Sequence, residues 1–98
     1  MLLNKLKTET EIVLRHIEVI KIVSEHQPIG ILKLSEITKI PSHKIRYSLK
    51  VLEQLGYIRA SPSGAMATPK AAELMESVDT QADEIIALLK KIKAAAES

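Results

Sequence analysis

The sequence predicts a mainly α-helical domain with one small β-hairpin. Apolar residues recur at helical spacing through most of the chain, and Pro and Gly fall near the ends of those stretches. One turn signal, Pro62-Ser63-Gly64, separates two short segments of strand character. The 98 residues are enough for one domain with a modest core. Since the chain has no Phe and no Trp, aliphatic side chains must form that core.

The first helix is expected over residues 8–26 and a short second helix over residues 31–38. The apolar residues of the first helix recur at i, i+3, i+4 and i+7: Ile12, Val13, Ile17, Val19, Ile20 and Val23. This helix should end before Pro28, because the residue preceding proline disfavours the α region. The second helix offers Ile31, Leu34 and Ile37 to the core. The turn Lys39-Ile40-Pro41 then leads into a third helix.

The third helix is expected over residues 42–55. Ser42 is its predicted N-cap, and Gly56 ends it where a left-handed residue costs least. Its buried stripe is expected to contain four residues spaced by four, three and three: Ile45, Leu49, Leu52 and Leu55. Basic and hydrogen-bonding side chains remain for the solvent: His43, Lys44, Arg46, Tyr47 and Lys50. A capped helix with such an outer face, followed by a β-turn, suggests a DNA-reading element.

The hairpin is expected over residues 57–68 and a C-terminal helical segment over residues 69–97. Pro69 suits the first position of a helix, where its missing N–H would have no partner. Asp79-Thr80 can cap a fresh helix, so this segment consists of one helix or two.

Apolar residues of the C-terminal segment alternate by four and three, which is typical of a heptad seam. The seam residues expected to make the main helix–helix contact are Val78, Ala82, Ile85, Leu89 and Ile92. These residues can pack on their own domain or against a second copy of the chain. The second arrangement is favoured, because the last turns of the seam extend past the globular part.

Positive charge is concentrated in the middle of the chain. Residues 33–70 hold seven basic and two acidic side chains, a net charge of +5, and the whole chain carries +2, so the remainder carries −3. This distribution favours one localised anion-binding surface. An ordinary solvated helix face is the alternative interpretation of the basic residues. The absence of acidic residues between His43 and Lys50 argues against it.

Several classes of function lack support in the sequence. The chain has no Cys, and His16 and His26 lack the spacing of a metal-binding pair, so neither a metal nor another cofactor is expected. No nucleophile–base pair, phosphate loop or carboxylate cluster indicates an enzyme. No signal-peptide core is present, and no run approaches the roughly 20 apolar residues of a membrane span. A cytoplasmic location without a membrane partner is therefore expected.

The segment LSEITKIPSHKIRYSLKVLEQLGYI resembles the winged helix-turn-helix of small prokaryotic transcription regulators. The residues that follow the recognition-helix pattern of this family are Ser42, Ile45, Leu49, Leu52 and Gly56. The resemblance covers roughly residues 31–72, and within this range Ser61–Gly64 resembles the tip of the wing. The chain departs from the family at Lys39, where Gly is common, and in its short wing. The length predicts a single domain over residues 1–98, and the heptad seam favours terminal helices that form a dimerisation element.

The resemblance implies a regulator that places its third helix in the major groove of double-stranded DNA, and the heptad seam makes a homodimer the expected form. The resemblance, together with the chemistry and position of the side chains, assigns DNA contacts to Ser42, His43, Lys44, Arg46, Tyr47, Lys50, Arg59 and Lys70. His43, Lys44, Arg46 and Tyr47 would meet bases or phosphates, whereas Lys50 would reach the backbone. The residues do not identify a regulatory protein or small effector. The alternative is a winged-helix module for protein–protein interaction that does not bind DNA.

Overall fold

The computed structural model describes residues 1–97. Within them the elements follow one another as α1 (Leu2–His26), α2 (Ile31–Thr38), α3 (Ser42–Gln54), β1 (Ile58–Ser61), β2 (Gly64–Ala67) and α4 (Pro69–Glu97). The two strands pair antiparallel. The prediction of a mainly helical domain with a small hairpin is confirmed. The molecule is elongated, measuring 56 × 26 × 22 Å.

The core lies where the second half of α1 meets α2, α3, the hairpin and the first turn of α4. It consists of buried aliphatic residues: Val19, Ile20, Val23, Ile29, Leu34, Ile45, Leu52, Ile58 and Ala71. Burial of each Val, Leu or Ile side chain contributes roughly 1.5–3 kcal/mol. Ser48 is the one polar residue buried with them in the described part of the chain. The core therefore holds α3 from one side and leaves its other side to solvent.

The first helix begins well before the expected Thr8, at Leu2. The residues between them are mostly good helix formers and include no Gly or Pro, so the backbone hydrogen bonds continue. The periodicity of buried residues could not reveal this extension, because residues 1–11 are all exposed. The helix ends at His26, and Gln27 has an extended backbone (φ −60°, ψ 142°), as expected for a residue before proline.

The turn between α2 and α3 places Lys39 in the left-handed region, with φ 63° and ψ 16°. Its N–H donates to the carbonyl oxygen of Ser35 at 2.9 Å and closes the last turn of α2. A residue with a Cβ atom costs about 1–2 kcal/mol in this conformation. The position at which the sequence departs from the family is therefore a position that favours Gly.

The prediction that Ser42 caps α3 is wrong. Pro41 occupies the cap position, and its carbonyl oxygen accepts from the N–H groups of Lys44 at 3.0 Å and Ile45 at 3.1 Å. Ser42 is already the first helical residue, and no side chain caps the helix. A hydroxyl group inside the first turn is displaced by one residue from the position that reaches the free N–H groups.

The prediction that Leu55 is buried at the end of α3 is also wrong, since its side chain is 51% exposed. The helix ends at Gln54, and Gly56 follows in the left-handed region with φ 86°. The N–H of Tyr57 donates to Leu52 at 2.9 Å, and that of Gly56 donates to Glu53 at 3.0 Å. This pair of bonds is a Schellman motif, which turns the chain before Leu55 can enter the core. On the buried side, Ser48 lies between Ile45 and Leu52.

The hairpin is held to the helices by an extra backbone pairing. Ile29 donates to Ala65 at 3.2 Å and accepts from the Ala65 N–H at 2.8 Å, so the segment between α1 and α2 lies along β2. Gly64 belongs to β2 with φ 133°, opposite Ser61, so the loop itself is Pro62-Ser63. A Cβ atom on Gly64 would lie 2.6 Å from the Ile29 carbonyl group. Only Gly permits this approach.

The C-terminal segment is one continuous helix, so Asp79-Thr80 does not start a second one. Thr68 precedes it, and the hydroxyl of Thr68 donates to the Gly56 carbonyl at 2.6 Å. This bond joins the start of α4 to the end of α3. No helix among residues 1–97 has both the length and the apolar character needed to cross a membrane.

Gly64→Ala should lower the free energy of unfolding by roughly 2–4 kcal/mol, because it combines backbone strain with a clash against Ile29. Gly30→Ala is the matched control. A Cβ atom on Gly30 meets nothing within 4 Å, and its φ of −87° is open to any residue, so the change should stay within about 1 kcal/mol. Urea unfolding followed by circular dichroism measures both. Equal effects of the two substitutions on the free energy of unfolding would contradict a specific clash at position 64.

Candidate nucleic-acid interface

Four side chains form a contiguous surface on α3, named here the outer face: His43, Arg46, Tyr47 and Lys50. Steps of three and four residues relate them, so they are neighbours on the helix, and all four are exposed. They lie opposite the buried Ile45 and Leu52, and no acidic residue interrupts them. Gln54, which the sequence analysis did not single out, continues the outer face one turn beyond Lys50.

Two predicted site residues of α3 lie apart from the outer face. Lys44 is exposed on the flank of α3 that faces α1, where it lines a cleft of about 530 Å³. Arg15 and Lys39 line the same cleft, together with Glu11 and Glu18 from α1. Ser42 is half-buried in the first turn of α3. The cleft between α1 and α3 therefore has mixed charge, whereas the outer face carries only basic and neutral side chains.

Tyr47 lies between the outer face and α1. The Arg15 guanidinium carbon is 5.6 Å from the centroid of the Tyr47 ring, within the range of a cation–π contact. The His16 and Tyr47 ring centroids are 6.2 Å apart with an interplanar angle of 31°. Tyr47 is nevertheless 52% exposed. The ring thus covers the edge of the domain on one side and is open to a ligand on the other.

A buried hydroxyl group holds this arrangement together. Arg15 Nε donates to Ser48 Oγ at 2.9 Å, and His16 Nδ1 lies 2.9 Å from the same oxygen. Since Arg15 always donates, the serine O–H is free to donate to Nδ1 when the imidazole is neutral. Burial lowers the pKa of His16, and the charge of Arg15 lowers it further, which favours that neutral form.

The two basic residues expected beside the hairpin differ in their surroundings. Arg59 is exposed on β1. Lys70 is exposed as well, but its Nζ atom donates to the Leu55 carbonyl at 3.0 Å and lies 5.3 Å from the centroid of the Tyr57 ring. A cation near the last carbonyl groups of a helix stabilises that end. Lys70 therefore supports the C-terminal end of α3.

An apolar cleft of about 450 Å³ lies on the hairpin side of α3. Ile31, Leu49 and Ile58 contribute to its walls, and Lys50 lines it from the outer face. Glu53, the one acidic residue of α3, lines it too. The outer face is thus bordered by an apolar cleft on one side and by a cleft of mixed charge on the other.

The structure adds Arg15, His16 and Ser48 to the surroundings of the outer face. One signal for them was present in the sequence, because Arg15-His16 interrupts the apolar run of the first helix and Ser48 falls inside the apolar stripe of the third. Helical periodicity cannot show that two such interruptions meet in space. Within residues 1–97, no three His, Asp or Glu side chains come together as metal ligands would.

The heptad seam changes its surroundings along α4. Val78 and Ala82 are half-buried, whereas Ile85, Leu89 and Ile92 are 41–53% exposed. Ile86 and Leu88 are exposed beside them. The distal half of α4 therefore carries a strip of aliphatic side chains that its own domain does not cover.

Stability should decline in wild-type protein as the pH falls below about 6.5, because the folded state binds the His16 proton less readily than the unfolded chain does. The stability contributed by neutral His16 is present above the ordinary pKa of 6.5 and is lost as the pH falls through the lower pKa of His16 in the folded state. Thermal unfolding at pH 7.5 and 5.5 measures it. His16→Asn should reduce the difference, whereas Ser24→Asn, which places the same side chain at an exposed position of the same helix, is the matched control and should not. If both variants keep the wild-type difference, His16 is not the group responsible.

Comparisons with known proteins find a similar fold among solved structures. No family model matches the chain, and no curated protein matches it either. The solved structure of the activation domain of the phage T4 transcription factor MotA is similar, with a TM-score of 0.57 and 16% sequence identity. The similarity covers 70% of this chain and 74% of that domain. At this level of identity the likeness is one of fold.

Proposed function

We propose that this protein is a sequence-specific regulator of transcription that binds double-stranded DNA as a homodimer through a winged helix-turn-helix. The outer face of α3 is the observation that carries the proposal. His43, Arg46, Tyr47 and Lys50 are exposed together on one helix, and no acidic side chain lies among them. Such a surface complements a polyanion, and an α-helix fits the major groove of B-form DNA.

The residue types on this surface suit different tasks. The Arg46 guanidinium can bond bidentately to the O6 and N7 atoms of guanine, which gives sequence discrimination. The Lys50 ammonium behaves as a point charge and suits a phosphate. Arg59 on the hairpin would neutralise a phosphate beside the groove, so the hairpin takes the role of the wing. Lys70 already donates to Leu55, so its direct share in DNA binding is expected to be smaller.

The order of the elements supports the same assignment. Two helices joined by a tight turn, followed by a hairpin and a further helix, are the element order expected of a winged helix-turn-helix and so support the proposal. The similar fold of the MotA activation domain belongs to a transcription factor, which supports a role in transcription.

The exposed strip on α4 supports the homodimer. Ile85, Leu89 and Ile92 keep the heptad spacing, and their own domain leaves them half-exposed. A second copy of α4 would cover them. The two copies of α3 would then meet successive major grooves about 34 Å apart, or at a multiple of that distance, on a pseudo-palindromic site.

A protein-interaction module is the second candidate function. The apolar cleft beside the hairpin favours it, because Ile31, Leu49 and Ile58 line a volume of about 450 Å³ and Leu32 nearby in sequence is 79% exposed. A partner side chain could fill this cleft while the outer face stays free. This candidate predicts that duplex DNA does not bind even at low salt and that a partner protein co-purifies.

Arg46→Ala should relax sequence preference and cost about 1–3 kcal/mol in binding to the preferred duplex. Lys50→Ala should weaken binding to all duplexes alike and reduce the salt dependence. Selection of duplexes from a random pool, followed by fluorescence anisotropy over a salt series, measures both effects. Lys21→Ala, which removes one exposed cation from α1, is the control for net charge. Wild-type binding that does not respond to salt would rule out this mode of DNA recognition.

Leu89→Glu should convert the dimer to a monomer, because it places a charge within the apolar strip of α4. Lys91→Glu is the matched control, since position 91 lies on the other side of the helix and receives the same side chain. Multi-angle light scattering after size exclusion measures the mass. A wild-type monomer at tens of micromolar would contradict the homodimer while leaving DNA binding to be judged separately.

A further inference from the structure

Arg15, His16, Tyr47 and Ser48 form a cluster, named here the Ser48 cluster, that joins α1 to α3 beside the outer face. Ser48 is fully buried, whereas Arg15 and His16 are half-buried and Tyr47 is half-exposed. The hydroxyl oxygen lies 2.9 Å from both Arg15 Nε and His16 Nδ1. One buried atom thus sets the positions of two α1 side chains at the border of a solvent-facing surface.

Arg15 is the member of the cluster with free binding capacity. Its bond to Ser48 uses Nε, which leaves the terminal nitrogens of the guanidinium for another acceptor. The guanidinium carbon lies 5.6 Å from the Tyr47 ring centroid, so the group reaches from α1 to the edge of the outer face. A guanidinium held by one hydrogen bond and one ring is pre-organised, and its planar geometry suits a phosphate.

We infer that Arg15 binds a phosphate group of duplex DNA and that Ser48 is the positioning residue that holds Arg15 in place. This inference rests on the proposed function. If α3 occupies the major groove, a side chain at its flank meets the sugar–phosphate wall rather than base edges. Lys44 lines the same cleft as Arg15 and adds a second positive charge on that flank.

The acidic residues nearby explain why Arg15, and not the cleft itself, is the binding group. Glu11 and Glu18 lie about one turn before and after Arg15 on α1, and both line the cleft. Their carboxylates repel an anion that enters between α1 and the turn before α3. Arg15 instead directs its guanidinium toward Tyr47 and the outer face.

The first test compares Arg15→Ala with Lys21→Ala in full-length protein, because both remove one cation from α1. Binding to the preferred duplex and to a scrambled duplex is measured over a salt series. For Arg15→Ala, log K against log salt should become less steep by about 0.9 per bound protomer. Affinity at low salt should fall several-fold by the same factor for both duplexes. Lys21→Ala should retain the wild-type slope.

The second test is a double-mutant cycle that separates positioning from packing. Ser48→Ala should change the slope of log K against log salt as Arg15→Ala does. The double variant should lose no more binding affinity than either single variant. If Ser48 contributed only to packing, Ser48→Ala would lower the midpoint of thermal unfolding. The salt dependence of DNA binding by the folded variant would then be unchanged. Should Ser48→Ala fail to fold, Ser48→Cys fills a similar volume with a poor hydrogen-bond acceptor and carries the same expectation.

Each outcome separates this inference from the proposed function. Wild-type protein that binds no duplex overturns both. If wild-type binding falls steeply with salt while Arg15→Ala and Lys21→Ala behave alike, the role of Arg15 is overturned and the proposed function stands. If Arg15→Ala changes the slope but its effect adds to that of Ser48→Ala, the positioning role of Ser48 is overturned.

Discussion

The packing of α3 against α1 is the contact on which the candidate interface depends. Aliphatic side chains such as Val19, Ile20 and Ile45 are fully buried in the core between these elements, but burial of apolar surface is non-directional, unlike a hydrogen bond. Ser48 adds the directional element, because its oxygen bonds with Arg15 and His16 at fixed positions. A buried hydroxyl without partners would cost free energy, so these bonds also favour one alignment of the two helices.

The C-terminal end of α3 and the hairpin beside it are fixed by further contacts. At the helix end, the Schellman motif satisfies the carbonyl groups of Leu52 and Glu53, and the Lys70 ammonium reaches that of Leu55. Beside it, the hairpin is tied through Gly64 and Ala65 to the backbone of Ile29. A helix supported on several sides can present exposed polar side chains without being displaced by the ligand they meet.

Local signals account for the parts of the fold that were predicted well. The residue before Pro28, the left-handed Gly56 and the turn at Pro62 act within a few residues, so the sequence alone reveals them. The pairing of Ile29 with Ala65 joins residues far apart in the chain, and no local pattern encodes it.

The candidate site likewise combines features that the local sequence reveals with features that depend on tertiary packing. The exposed side of α3 followed from helical spacing, whereas the meeting of Arg15 with Tyr47 depends on how two helices pack. Leu55 was misplaced because apolar spacing continues past the residue at which the chain turns.

The continuity of α4 has a mechanical consequence. Lys70 in its first turn bonds to Leu55 at the end of α3, and the helix runs unbroken for 29 residues, about 43 Å, without Gly or Pro after Pro69. In the proposed dimer no hinge separates the joining helices from the reading helices. The two α4 helices would hold the two α3 helices at a fixed separation, so the dimer would tolerate little variation in the distance between half-sites.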